Sequence, residues 1–123
     1  MKPGIICVSH SEKIVEGLKQ LLDQIAKDVP MSFAGGTDEG EIGTSYDKIS
    51  KAIEENVADE LLAFFDLGSA RMNLEMASEM GEKPVQIMNV PLIEGAYAAA
   101  ALMQAQASMD EIRKQLKEME ITK

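Results

Sequence analysis

Short runs of apolar residues alternate along this chain with segments whose apolar residues recur every three to four positions. The first run, Gly4 to Val8, contains no polar residue, as is typical of strands buried on both faces of a parallel sheet. Further runs at residues 29–34, 61–65 and 84–88 predict three more strands. Because each run is followed by a segment with helical periodicity, the pattern predicts alternating strands and helices.

The helical segments differ in what they offer for packing. The third segment carries methionines that we assign mainly to the core, with some at a partner surface, and it ends at Gly81 in the usual position after a helix. Leu92 to Ala107 is an alanine-rich helix that would let a sheet or a second helix approach closely, and Ser108 with Glu111 forms a capping box that predicts a last helix. The predicted stripe of the first helix is Ile14, Val15, Leu18, Leu21, Leu22 and Ile25, and the methionines assigned to packing are Met72, Met76, Met80, Met103, Met109 and Met119.

This order of elements predicts a three-layer α/β fold, with a mainly parallel four-stranded sheet flanked by helices. Pro30 lies near the start of the second strand and favours an edge position for it. With right-handed crossovers, the simplest strand order is 2-1-3-4, so the chain changes direction across the sheet between strands one and three. Ligands of such sheets bind at that point. Residues 1–123 form a single domain in this interpretation.

His10 is the only histidine, and it follows the first strand at the entrance to the first helix. A lone histidine is often an incidental surface residue, but imidazole can carry a phosphoryl group and a helix N-terminus attracts anions. Asp66 ends the third strand and is expected in the same crevice. Its carboxylate either orients the imidazole or caps the next helix, and the sequence leaves both interpretations open.

A glycine-rich segment, residues 35–45, follows the second strand. Its backbone N–H groups are either oxyanion donors or parts of a flexible connector, and the segment matches neither the Walker A loop nor the dinucleotide pattern. Ser69, at the start of the third helix, is either a cap or a phosphate donor. The residues that we assign to phosphate binding are Ser9, Ser11, Gly36, Gly43, Thr44, Ser45 and Ser69.

Composition narrows the classes of partner. The 123 residues carry a formal net charge of -9, which opposes binding to nucleic acid or to an anionic membrane. Docking on an acidic partner would need local cations such as Lys13, Lys48 or Arg71. One buried cysteine, Cys7, with no signal-peptide or membrane-length apolar run, predicts a cytoplasmic protein. One histidine and one cysteine cannot supply a zinc site, so no metal is expected.

Four segments in combination closely resemble the phosphotransferase subunits of bacterial dihydroxyacetone kinases, which are related to the mannose-type IIA (EIIA) components of the sugar phosphotransferase system. The resemblance extends from about Lys2 to Ala107. The segments are Val8-Ser9-His10-Ser11, Gly35-Gly36 through Gly40 to Ile42-Gly43-Thr44-Ser45, Asp66-Leu67-Gly68-Ser69-Ala70 with Asn73, and Pro91-Leu92-Ile93-Glu94-Gly95-Ala96.

The resemblance implies a phosphocarrier. The residue matching His10 would accept a phosphoryl group from the histidine-containing phosphocarrier protein HPr and pass it to ADP held on a separate nucleotide-binding kinase subunit. Asp66 matches the carboxylate that orients the histidine. The chain itself would bind no cofactor, because ADP and ATP stay on the partner subunit.

Two other functions remain open at this stage. The chain would be a mannose-type sugar-transport IIA domain that passes its phosphate to a IIB protein, or a non-catalytic regulatory module that binds a small anion. The resemblance also implies a homodimer, for which the alanine-rich helix offers a packing face. In mannose-type relatives an extra edge strand is exchanged between subunits, whereas residues 108–123 here have a helical pattern, so a strand-swapped dimer is not expected.

Overall fold

The computed structural model describes residues 2–123, and they form a parallel four-stranded sheet with helices on both faces. The strand order is β2-β1-β3-β4, as predicted. The elements in chain order are β1 Pro3–Ser9, α1 Glu12–Asp23, β2 Met31–Gly35, α2 Tyr46–Glu55, β3 Glu60–Phe65, α3 Ser69–Met80, β4 Val85–Ile87, α4 Leu92–Gln104 and α5 Met109–Lys117.

The pairing of β1 with β3 determines which side chains meet at the carboxyl edge of the sheet. Val8 lies opposite Phe65 in the parallel register, so the residues that follow these two positions leave the sheet side by side. On its other side β1 pairs with β2, and Ser9 lies opposite Gly35. The predicted meeting of His10 with Asp66 therefore follows from strand register.

The hydrophobic core consists of two clusters, one on each face of the sheet. Leu22 of α1, Ala96 of α4 and Ile112 of α5 belong to the cluster on one face. Ile49 of α2 and Leu74 of α3 belong to the cluster on the other. This arrangement is the three-layer architecture expected from the alternation of strands and helices.

Two packing predictions were wrong in part, since Met103, Met109 and Met119 pack on the core as expected but the α3 methionines do not. The face of α3 that packs on the sheet carries small and branched residues, and the methionines point away from it, because positions 72 and 74 lie about 200° apart around a helix. On α1, Ile14 and Leu21 are likewise exposed, whereas Val15, Leu18 and Leu22 are buried. The three α3 methionines are Met72, Met76 and Met80, and the buried residues of that helix are Ala70, Leu74 and Ala77.

Helix ends were predicted with partial success. Ser11 caps α1, and Ser108 caps α5 as expected. Gly81 ends α3 in an extended conformation with a φ of -97°, so the left-handed cap predicted there is absent. Ala96, Ala99 and Ala100 of α4 are buried in the core on one face of the sheet, so the alanine-rich helix approaches the sheet closely, which was one of the two arrangements expected for it. No helix within residues 2–123 is long and apolar enough to span a membrane.

Candidate phosphoryl-transfer site

The His10 imidazole is held between two side chains of the β3–α3 junction. Its Nδ1 atom lies 2.9 Å from Asp66 Oδ1, and its Nε2 atom lies 2.7 Å from Ser69 Oγ. The side chains of His10 and Asp66 are 17% and 16% exposed, so the pair is largely shielded and remains open to solvent on one side. The structure therefore brings together the histidine, the aspartate and one of the predicted phosphate ligands.

Asp66 accepts hydrogen bonds at both carboxylate oxygens. Oδ2 accepts from the Ser9 hydroxyl at 2.8 Å and from the His10 backbone N–H at 3.0 Å. Oδ1 accepts from the His10 ring and from the Leu67 N–H at 2.7 Å. Burial alone raises the pKa of Asp66, but these hydrogen bonds outweigh it and hold the pKa below its usual value. Asp66 is therefore an ionised carboxylate at neutral pH.

An ionised carboxylate at Nδ1 determines the form of the imidazole. Because the carboxylate only accepts, Nδ1 of His10 carries the ring proton and donates it to Asp66. In the neutral ring Nε2 then has a free lone pair, and the Ser69 hydroxyl donates to it. This arrangement provides a nucleophilic nitrogen at the exposed side of the ring, with a carboxylate behind it to stabilise positive charge.

The structure excludes the capping interpretation of Asp66 and of Ser69. Helix α3 begins with Gly68 at its N-cap position, and no side chain caps it. Asp66 accepts from the adjacent Leu67 N–H but from no N–H within the helix, so the capping interpretation was wrong. Ser69 is the first residue of α3, where its hydroxyl is free to contact the imidazole.

Ser9 and Ser11 have structural partners that the sequence did not reveal. Ser9 is fully buried, and its hydroxyl donates to Asp66 while accepting from the Ser11 N–H at 3.1 Å. With its proton committed to Asp66, Ser9 supports that carboxylate and has no access to a phosphate. Ser11 accepts from the Ile14 N–H and caps α1. The assignment of these two serines to phosphate binding therefore lacks support from their contacts.

The glycine-rich segment folds back on the histidine junction with its amides already in use. The Gly36 N–H donates to the Ser9 carbonyl at 3.2 Å, and the Gly43 N–H donates to the His10 carbonyl at 2.9 Å. Both glycines have positive φ, of 74° and 143°. Neither amide is free for a phosphate oxygen in this arrangement, and the segment instead holds the backbone around His10.

The end of the same segment anchors helices. Ser45 is buried, donates to Asp38, and caps α2 by accepting from the Lys48 N–H at 3.1 Å. Its predicted contact with phosphate is therefore blocked. Thr44 accepts from Asn73 Nδ2 of α3 at 2.8 Å, which leaves its own hydroxyl proton available. Of the two hydroxyl residues predicted in this segment, Thr44 is the one whose side-chain proton has no acceptor among residues 2–123.

One cation near the pair was missed in the sequence. Lys123 donates to the Phe65 carbonyl, and its ammonium lies 3.9 Å from the centre of the Phe65 ring. Burial lowers the pKa of Lys123, while the negative charge of Asp66 opposes this shift. No pattern in the sequence links residue 123 to the third strand, because the approach depends on how α5 and residues 118–123 pack.

Two cavities of the described residues lie away from the His10 junction. Cavities of about 600 and 460 Å³ open at the opposite, amino edge of the sheet, where Lys83 and Pro84 line both. The described residues contain no cluster of three histidine, cysteine or carboxylate side chains suited to a metal ion. The residues that line these two cavities do not include His10.

Comparison with known proteins agrees with this geometry. Residues 4–113 match the family model EIIA-man, described as the fructose IIA component of the PTS system. The chain belongs to this family. It is 55% identical, over the full length of both chains, to the phosphotransferase subunit of a PTS-dependent dihydroxyacetone kinase from Lactococcus lactis subsp. lactis (strain IL1403). A phosphoryl donor subunit of a PEP-dependent dihydroxyacetone kinase from Listeria innocua is 44% identical over 96% of this chain and 95% of its own length.

Solved structures support the same fold. A crystal structure of a protein of unknown function, EF1359, superimposes with a TM-score of 0.86 at 32% identity and covers 99% of this chain and 98% of its own. The EIIA component from Streptococcus agalactiae has a TM-score of 0.67 at 17% identity, covering 95% and 91% of the two chains. The resemblance to the dihydroxyacetone kinase phosphotransferase subunits, stated from the sequence motifs, is confirmed by the full-length identity to such a subunit and by the family model.

Proposed function

We propose that this chain is the phosphoryl carrier of a PEP-dependent dihydroxyacetone kinase. It accepts a phosphoryl group from phosphorylated HPr on Nε2 of His10 and passes it to ADP bound on the nucleotide-binding kinase subunit. The observation that supports this proposal best is the His10–Asp66 hydrogen bond, which leaves Nε2 as the free nitrogen of the ring. We choose a dihydroxyacetone kinase because two relatives are named as subunits of such kinases.

The first transfer is a displacement at phosphorus. The Nε2 lone pair of His10 forms a bond to phosphorus while the bond from phosphorus to the donor's histidine nitrogen breaks, and the donor ring keeps that electron pair. The His10 ring gains positive charge as the new bond forms, and the ionised Asp66 at Nδ1 stabilises that charge. The Nδ1 proton stays in place throughout.

Ser69 has a different partner before and after transfer in this mechanism. Its hydroxyl donates to Nε2 in the resting structure, so it must turn away from the lone pair when phosphorus approaches. The same proton is then within reach of a phosphoryl oxygen on Nε2. Thr44, whose hydroxyl proton is free, is the second candidate donor to these oxygens.

The second transfer uses the same atoms in reverse. A terminal oxygen of ADP attacks phosphorus, the bond from phosphorus to Nε2 of His10 breaks, and the ring nitrogen recovers its lone pair. Asp66 keeps Nδ1 protonated, so His10 returns to the form that accepts the next phosphoryl group. We propose that this chain binds no cofactor itself and that the nucleotide remains on the acceptor subunit.

We also propose that the protein is a cytoplasmic homodimer. Cys7 is a free, fully buried thiol, which suits a reducing compartment. Because the α4 alanines are buried, the dimer face expected on this helix would use its outward residues Ile93 and Tyr97, which are 51% and 41% exposed. Light scattering on wild type and on I93Q/Y97Q tests this face, and a wild-type monomer would overturn the dimer.

Intact mass spectrometry tests the carrier function. Incubation with phosphoenolpyruvate, enzyme I and HPr should add one phosphate that is lost in acid, and His10→Ala should gain none while keeping its fold by circular dichroism. Release of that phosphate by the ADP-loaded kinase subunit identifies the kinase branch, whereas release only by a sugar-transport IIB protein identifies the transport branch. Label retained by His10→Ala would refute the assignment of the nucleophile.

A further inference from the structure

The outer face of α3 carries three large apolar side chains in the open. Met72, Met76 and Met80 are 72%, 53% and 75% exposed, and they repeat every four residues along one side of the helix. We call these three residues the methionine ridge. Contiguous exposed apolar surface on a soluble domain indicates an interaction site, and methionine adapts its shape to a partner.

The ridge is not needed to fold the helix. Ala70, Leu74 and Ala77 already pack α3 against the sheet, and they are buried. Polar residues of similar length at the ridge positions would keep both the helix propensity and this packing. The ridge therefore has no evident role within a single copy of the chain, which leaves contact with another molecule.

The ridge is continuous with the proposed transfer site. Helix α3 begins at Ser69, whose hydroxyl contacts Nε2 of His10, and the ridge extends from the next turn. A partner must bring phosphorus to about 3–3.5 Å from Nε2, so it must cover this first turn. At about 1.5 Å per residue, Met80 lies about 16 Å from Ser69 along the axis, within the span of an interface of about 800 Å² per partner.

Charge indicates the kind of partner. Glu75 and Glu79 are exposed beside the ridge, and the nearby Arg71 is paired with Glu75 at 2.9 Å. Lys48, another cation expected to take part in docking, instead pairs with Glu12 and donates to the Gly35 carbonyl. A second copy of this chain has the same net charge of -9 and would place its own Glu75 and Glu79 carboxylates against these two. A partner with lysine or arginine beside an apolar patch is complementary.

We propose that the methionine ridge is the docking surface for the subunit that accepts the phosphoryl group. The acceptor contacts the ridge with apolar side chains that are flanked by lysine or arginine. This inference rests on the proposed function. The acceptor is the partner of choice because relatives are named phosphoryl donor subunits, that is, parts of a kinase that deliver to another part.

The variant M72Q/M76Q/M80Q tests the ridge, because glutamine matches methionine in length and helix propensity. Each protein is charged on His10 with phosphoramidate, a small donor that needs no docking, and is then mixed with the ADP-loaded acceptor subunit. We expect charging within twofold of wild type and a loss of at least tenfold in kcat/KM for transfer to the acceptor. Glu79→Lys should also slow transfer, and added salt should slow the wild type.

The matched control is L21Q/V57Q, since both side chains are exposed and lie away from His10. It should transfer at the wild-type rate. Wild-type transfer by the ridge variant would overturn the proposal, and so would a halved mass by light scattering, which would identify the ridge as an interface between two copies. If charged wild type does not transfer to the acceptor at all, the proposed function fails, whatever the ridge variant does.

Discussion

Two regions at the carboxyl edge of the sheet use their polar groups in opposite ways. At the junctions after β1 and β3, side chains bond to one another across the strands, and the His10 ring contacts Asp66 and Ser69. In the segment between β2 and α2, the amides of Gly36 and Gly43 bond to backbone carbonyls of the first region. The first region presents a reactive nitrogen, and the second supports the backbone that carries it.

The difference shows that glycine content and a helix N-terminus do not by themselves make an anion site. The Gly36 and Gly43 amides and the Ser45 hydroxyl all donate to partners within the protein. The Thr44 hydroxyl accepts from Asn73 and keeps its own proton free. In the histidine region, the exposed Nε2 contacts only a hydroxyl that can turn away. Substitutions in the first region should therefore change the rate of phosphoryl transfer. Substitutions in the second region should change the free energy of unfolding.

Among substitutions that keep His10, Asp66→Asn should have the largest effect. Each carboxylate oxygen accepts two hydrogen bonds, and an amide NH₂ can accept none, so one pair of donors would face another donor. The ring also loses its counter-charge. We expect charging of His10 to slow by about 10³- to 10⁴-fold, measured as the rate of phosphohistidine formation from phosphorylated HPr.

Thermal unfolding of Asp66→Asn provides the control. The rate of phosphohistidine formation reports on the reaction itself only if the variant is folded at the assay temperature. A folded variant that charges within tenfold of wild type would show that the carboxylate does not orient the ring. The interpretation of the whole junction would then have to change.

Ser69→Ala should have the next largest effect. Loss of the hydroxyl removes one donor to the phosphoryl oxygens, which typically slows the reaction by about 10²-fold. Although the resting Nε2 lone pair becomes more accessible, we expect the loss of transition-state stabilisation to dominate. Single-turnover charging measures the effect, with Ser50→Ala on α2 as the control. An unchanged or faster rate would mean that Ser69 contacts Nε2 only in the resting protein and does not stabilise the transition state.

Much of this region could be predicted because strand register is encoded in local patterns. The continuous apolar runs ending at Val8 and Phe65 predict that His10 and Asp66 leave neighbouring strands together, and the structure has this pairing. Pro30 likewise predicted the edge position of β2. Long-range placement in a parallel sheet follows from strand order once the strands are recognised.

Other features depend on side-chain geometry that a one-dimensional pattern does not contain. Ser9 and Ser69 both flank strand ends as small hydroxyl residues, yet one is buried beneath Asp66 and the other contacts Nε2. On α3, methionine and leucine have similar hydropathy, so periodicity did not show that Leu74 faces inward while Met72 faces solvent. On α3, half a turn about the helix axis decides which of these two residues faces the core.

Ser9→Ala should have a smaller effect that appears first in the titration of Asp66. Without the 2.8 Å hydrogen bond from the Ser9 hydroxyl, the pKa of Asp66 should rise toward its ordinary value. A carboxylate whose pKa is lower in the folded than in the unfolded protein stabilises the fold when the pH is above the unfolded-state pKa. This stabilisation is lost as the pH falls through the folded-state pKa. In Ser9→Ala this contribution should therefore be smaller, and its loss on acidification should be complete at a higher pH.

Carbon-13 NMR of the Asp66 carboxyl group measures this shift, and charging should slow by no more than about tenfold, since one hydrogen bond to a charged group is lost. Ser11→Ala is the matched control, because its hydroxyl caps α1 without touching Asp66. An Asp66 pKa that stays unchanged in Ser9→Ala would mean that the remaining donors alone hold the carboxylate ionised.

Ser45→Ala, in the second region, should leave the chemistry nearly unchanged. Its hydroxyl caps α2 and donates to Asp38, so its loss should lower the free energy of unfolding by about 1 kcal/mol, as for other N-cap serines. Chemical denaturation measures that cost, and charging of His10 should stay within about twofold of wild type, since the Gly43 amide still supports the His10 carbonyl. A variant of normal stability that charges more than tenfold slower would instead make Ser45 a phosphate ligand and remove the distinction between the two regions.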